Sequence, residues 1–138
     1  MTKDRLSEYS DLKAEVLQLE MEIKYLYESC IASPMGSFGD ESLRSVGSVS
    51  DPTGLFAERA AKLYTKLLMK KYELVVLLEE IEDAIDKLEP IHRRLIREYY
   101  INGLKWEQVC DKIGYAWAQT HRLHREALSR LVCVGKIS

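Results

Sequence analysis

The sequence predicts an all-α protein, a long N-terminal helical hairpin of coiled-coil character followed by a compact helix-turn-helix. Three observations carry that prediction. Two long stretches hold apolar residues at alternating steps of three and four, the beat of a helix with one buried seam. Only 7 Gly and 3 Pro interrupt 138 residues. The last third is basic and is broken by Gly at two turn-like places. The composition, 46% hydrophobic and 30% charged, is that of a chain that folds in water.

The first helix is predicted from about Asp4 to Ala32. Tyr9, Leu12, Val16, Leu19, Ile23, Leu26 and Cys30 form its seam, with no Gly or Pro in between. Residues 33–54 break the pattern. Ser33-Pro-Met-Gly-Ser-Phe-Gly opens this stretch and Val46-Gly-Ser-Val-Ser-Asp-Pro-Thr-Gly closes it, a connector by composition. Phe38, Leu43 and Val46 are its possible anchors. A second helix is predicted over 55–88, with Ala60, Tyr64, Leu67, Lys71, Leu74, Leu78, Ile81, Ile85 and Leu88 in register. Lys71 is polar within that seam, so its stem packs while its ammonium reaches water. Val75, Val76 and Leu77 widen the apolar face beyond what one partner helix covers. The seam closes either within the chain or against a second copy, and the width points to a homodimer.

Glu89-Pro90 starts a new helix, because Pro is tolerated in a first turn and disfavoured inside a helix. That helix should run to about Ile101, with Ile91, Leu95, Ile96 and Tyr99 inward, and end at Asn102-Gly103. The next two helices form the helix-turn-helix. Such a motif needs a small residue where the helices cross, a Gly in the turn and an inward residue beyond. Cys110, Gly114 and Thr120 occupy those positions. Leu104, Val109, Ile113, Tyr115, Leu123, Ala127, Leu128 and Leu131 are the expected apolar support. Residues 1–88 thus make an oligomerisation or partner arm, and 89–138 a DNA-binding domain.

Charge divides the same way. Residues 1–88 hold 11 Lys+Arg against 17 Asp+Glu, and residues 89–138 hold 9 against 5. Any polyanion contact therefore belongs to the C-terminal third. With Thr120, Leu123, Ala127 and Leu131 inward, the outward face of the last helix carries Trp117, Ala118, His121, Arg122 and Arg125. Arg122 suits a bidentate pair with guanine, and Ala118 a thymine methyl. His121 can donate to a base or a phosphate. Lys105, Arg125 and Arg130 suit phosphates.

Several function classes are excluded. No aliphatic run approaches the roughly 18 residues of a membrane span, and the charged start leads into no apolar signal segment. Three cysteines without paired spacing fit a reducing compartment rather than a disulfide framework. His121 and His124 share a face with Cys133 beyond, but no Cys-x-x-Cys or His-Glu-x-x-His spacing exists, so no metal or other cofactor is predicted. No phosphate loop or catalytic triad appears, so the chain is not expected to be an enzyme.

The segment from Lys105 to Leu128 resembles region 4 of bacterial sigma factors. The whole chain resembles small phage transcriptional regulators of the RinA/ArpU type. That resemblance rests on Gly47-Ser-Val-Ser-Asp-Pro-Thr-Gly54, on Arg93 to Trp106, and on Leu123-His-Arg-Glu-Ala-Leu128. It implies a late-gene activator that binds double-stranded DNA, works with host RNA polymerase and acts in the bacterial cytoplasm. Two departures stand out. Lys105 and Ala116 occupy positions that usually hold a Ser or Thr cap, each cap worth about 0.5–2 kcal/mol. Trp117 stands where a charged or polar residue is usual. Two alternatives remain open at this level: a DNA-packaging recogniser of the small-terminase kind, and an interaction module that has lost DNA.

Overall fold

A computed structural model describes residues 1–32 and 52–137. It is all-α, with no strand among the described residues. In order, α1 spans Lys3–Ala32, α2 Pro52–Ile85 and α3 Pro90–Ile96. A five-residue π-helical segment, Arg97–Ile101, continues α3, and α4 (Trp106–Ile113) and α5 (Trp117–Ile137) follow. The expected connector at 33–54, with Phe38, Leu43 and Val46, lies outside the described residues except for 52–54, which already belong to α2. No described helix is long and apolar enough to cross a membrane.

The chain divides into two compact units, and not at Leu88–Glu89. One comprises Glu15–Tyr72, the other Met1–Ala14 together with Glu73–Ser138. The reason is physical. Leu77, Ile81 and Ile85 of α2 and Leu6 and Tyr9 of α1 share one apolar core with Leu95, Val109, Ala127 and Leu131. The ends of the two long helices are thus walls of the C-terminal core.

In the unit Glu15–Tyr72, α1 and α2 run antiparallel. Glu15 pairs with Lys70 at 3.0 Å near one end, and the Tyr27 ring meets Phe56 at 5.1 Å near the other. Val16 and Ile23 are buried against Ala60, Leu63 and Leu67, so the seam closes within one chain. The α2 register differs from the expected one. Leu63 and Leu77 are buried, whereas Tyr64 is exposed and Leu78 is only half-buried. Both positions offer two adjacent apolar residues; at Leu63–Tyr64 the pure hydrocarbon takes the dry side and the phenol the wet edge, whereas at Leu77–Leu78 the two side chains are identical and packing alone decides. Lys71 is exposed and pairs with Glu20 at 3.0 Å. Cys30, in the last turn of α1 and expected in the seam, is exposed, so the buried seam stops short of it.

In the other unit, α2 ends at Ile85 and a turn closes with Leu88 N–H donating to Ile85 O at 2.9 Å. Glu89 is the N-cap of α3 and Pro90 its first residue, as the sequence predicts. Leu95 and Ile96 face the core. The π-helical turn then carries the ladder on by one extra residue, with Asn102 N–H bonded to Arg97 O at 2.8 Å. Tyr100, four residues after Ile96, is buried, and Tyr99, expected inward, is half-buried against the same core. Gly103 follows with φ of +69°, the left-handed turn expected of Asn102-Gly103.

Candidate nucleic-acid interface

The interface is built on the α4–turn–α5 pair. Gly114 stands at φ +77°, and its N–H donates to Cys110 O at 2.9 Å. Tyr115 N–H reaches the same carbonyl at 3.3 Å. That left-handed step turns the chain sharply from α4 into α5 and is open to Gly at no steric cost. Val109, Ile113, Thr120, Leu123, Ala127 and Leu131 are buried where the two helices pack on α3 and on each other. Tyr115 departs from expectation, being exposed beside the turn.

The caps are as poor as the sequence suggests. Lys105 has no acceptor to offer α4, and only the reciprocal half of a capping box forms: Lys105 N–H donates to Gln108 Oε1 at 3.0 Å. At α5, the Thr120 hydroxyl donates back to Tyr115 O at a long 3.4 Å.

The predicted site residues fall into three groups. Ala118, Arg122 and Arg125 are exposed on the outer ridge of α5, at helical steps of four and three, and Lys105 is exposed at the start of α4. Arg122 leans on Glu126 at 3.7 Å, a one-turn surface pair worth little and easily exchanged for a phosphate or a base. Trp117 and His121 sit on the flank of α5. Trp117 is 53% exposed and lies against the His121 ring at 4.6 Å, and His121 in turn lies against Trp106 at 4.5 Å. The His121 Nε2 is buried there without a hydrogen-bond partner. Arg130 is on the opposite flank, held 2.8 Å from Glu89. Hydrogen bonding from Arg130 keeps the Glu89 carboxyl below its usual range, so Arg130 ties the start of α3 to α5.

Behind this face lies a cluster of rings. Tyr99 stacks on Trp106 at 3.9 Å between centroids, and Tyr100 meets Tyr99 edge-on at 4.8 Å. The Tyr100 hydroxyl and His124 Nε2 are 2.7 Å apart. Burial pushes His124 down to about 4, assisted by the charges of Lys3, His121 and Arg125. Burial raises Tyr100 to about 12. Both groups are therefore neutral at pH 7 and share one hydrogen bond. His92, also buried, stands 3.3 Å from Glu126 Oε2 across the α3–α5 contact.

No family model, curated protein or solved structure matches this chain significantly. The site therefore rests on its own geometry. Among the described residues, no group of three or more His, Cys, Asp or Glu is arranged to hold a metal ion. Sequence reasoning missed Ser129, which continues the Ala118–Arg122–Arg125 ridge by a further four residues and is exposed. Extending the helical step past Arg125 finds it. The Tyr99–Trp106 stack had no sequence signal, because the two rings lie on different helices joined by an irregular turn.

Proposed function

We propose that this chain is a sequence-specific DNA-binding transcriptional regulator with no enzymatic step. The observation that carries the reading is the Gly114-hinged pair α4–α5 presenting the Ala118–Arg122–Arg125 ridge free of the core. A ridge of that kind, on a helix whose other face is buried from Thr120 to Leu131, suits the major groove, with Lys105 beside it for a phosphate. The resemblance to phage regulators of the RinA/ArpU type adds the role: a late-gene activator acting with host RNA polymerase in the bacterial cytoplasm. Arg130, on the opposite flank and engaged with Glu89, is a secondary phosphate contact that would exchange that exposed carboxylate for the backbone. His121 and Trp117 serve as a wall flanking the ridge rather than as its main donors.

The test is fluorescence anisotropy with labelled duplexes, starting from sequences upstream of late genes in a genome that encodes the chain. Affinity should fall with salt at a log–log slope of about −0.9 per phosphate neutralised. Arg122→Ala should flatten the preference among duplexes, whereas Lys105→Ala should weaken all of them about equally. A response to salt that is flat, or retention of no duplex, overturns the reading.

A further inference from the structure

The turn before α5 and the first residues of that helix form an uncharged tip on the module that carries Lys105, Arg122 and Arg125. Tyr115, Ala116, Trp117 and Ala118 are four consecutive exposed residues, and none bears a charge. The next exposed cations along α5 are Arg122 and Arg125. The Trp117 indole is propped from behind. It lies on the His121 ring, 4.6 Å between centroids, and His121 lies on Trp106 at 4.5 Å. Trp106 in turn stacks on Tyr99 at 3.9 Å, and both pack against the buried core. Four rings thus lead outward from the core by successive contacts, and Trp117 is the exposed end. His121 Nε2 is buried among them without a partner, so this ring spaces the two indoles rather than donating to a ligand.

With His121 on one side, the indole turns its remaining surface to solvent. That surface is nearly all carbon, with a single N–H donor and no acceptor. Pressed over the amino or carbonyl edge of a base, it would strip water from a polar group and return no bond, which costs binding. The apolar group that base edges display in the major groove is the C5-methyl of a pyrimidine. Taking DNA binding as proposed, we infer that Trp117 reads a pyrimidine C5-methyl group, so that the tip of α5 selects a methyl-bearing pyrimidine where Arg122 selects guanine. The pad attracts the methyl by burial and rejects bare polar edges by desolvation, two contributions of the same sign to specificity. Thymine carries that methyl in an ordinary duplex, and 5-methylcytosine in a modified one. The position follows from the helix. Trp117 and Arg122 are five residues apart, about 7.5 Å along α5. With base pairs about 3.4 Å apart, the methyl lies within about three pairs of the one that Arg122 reads.

Anisotropy with base-substituted duplexes and the full chain tests it. In the tightest-binding duplex, each thymine is replaced in turn by deoxyuridine, which lacks only the methyl, and each cytosine by 5-methylcytosine, which gains it. Wild type should lose affinity about fourfold at one thymine, the worth of one buried methyl group, within three pairs of the position whose preference Arg122→Ala flattens. A gain of about fourfold at one cytosine, with no loss at any thymine, supports 5-methylcytosine as the source instead. Trp117→Ala and Trp117→Gln should each abolish the response that wild type shows, with helical circular dichroism unchanged because the indole is 53% exposed. No response to either substitution, in a duplex that wild type still binds, overturns the inference and leaves DNA binding standing. A response only outside the three-pair span overturns it too. A response that persists in either variant overturns the assignment to Trp117, as does loss of helix, or of all binding, in both. Retention of no duplex by wild type removes this inference together with the DNA-binding reading.

Discussion

Lowering the pH should destabilise the wild-type protein more than a His124→Gln variant, by an amount set by the ring cluster behind α5. His124 titrates near 6.5 in an unfolded chain and near 4 in the fold, where burial disfavours its charged form. Above pH 6.5 both states hold a neutral ring and it adds no pH dependence. Between 6.5 and about 4 the unfolded ring takes up a proton that the folded ring refuses, so stability drains as the pH falls. At about 1.4 kcal/mol per pH unit the full loss is roughly 3 kcal/mol, and about 2 to 3 kcal/mol of it is reached by pH 4.5. Other groups, carboxylates above all, also titrate over this range, which is why the variant is needed: Gln keeps a polar partner for Tyr100 but cannot titrate. The assay is urea unfolding followed by tryptophan fluorescence at pH 7 and pH 4.5, with Trp106 lying 4.7 Å from the His124 ring as the reporter. The quantity is the wild-type loss minus the variant loss. A difference near zero, or an imidazole resonance for His124 that titrates near 6.5 in the folded protein, refutes the claim that this ring is buried neutral.

Gly114→Ala should cost about 1–2 kcal/mol in the same unfolding assay, all of it backbone strain, because no atom lies within 4 Å of the added methyl. Gly114→Asn should cost less, and equal losses for the two would argue against strain at that φ. Ile81→Lys should cost several kcal/mol, since Ile81 is fully buried and the new charge has no partner. It should melt α3–α5 together with the hairpin end, which circular dichroism and resistance to proteolysis beyond Pro90 will show; a C-terminal fragment left intact would contradict a shared core. Glu89→Gln, at an exposed ion pair with Arg130, should leave the urea midpoint essentially unchanged and should not change DNA affinity, as unfolding and anisotropy can check.

Much of the architecture was legible because helical periodicity and turn chemistry are local. The α1 seam, Pro90 at the head of α3 and the left-handed Gly103 and Gly114 all follow from residue type and spacing. The α2 register did not, because Leu63-Tyr64 and Leu77-Leu78 satisfy both phases of a heptad, and only packing chooses between them. That the ends of the long helices share a core with the C-terminal helices was not legible for a related reason. Periodicity shows that Ile81 and Ile85 are inward, but not that they face Leu95 and Val109 as well as α1. Histidine burial was invisible too. His92 and His124 look like surface polar residues until Glu126 and Tyr100 are seen beside them. The outward ridge of α5 was predicted from the same inward set that the fold buries, whereas the pairing of Arg130 with Glu89 was invisible because Glu89 lies on a distant stretch of chain.

The π-helical turn at Arg97–Ile101 behaves as a one-residue insertion held inside an otherwise α-helical run. Deleting one residue there would restore an ordinary α-helix and leave nearly all of the sequence untouched. The wide turn spends one more residue than an α-turn on about the same rotation, so the Gly103 corner and α4 would keep nearly their present phase, and what would be lost is the one side chain that the wide turn adds. A single-residue change of length is therefore cheaper here than anywhere inside α4 or α5, where it would turn the buried face towards water.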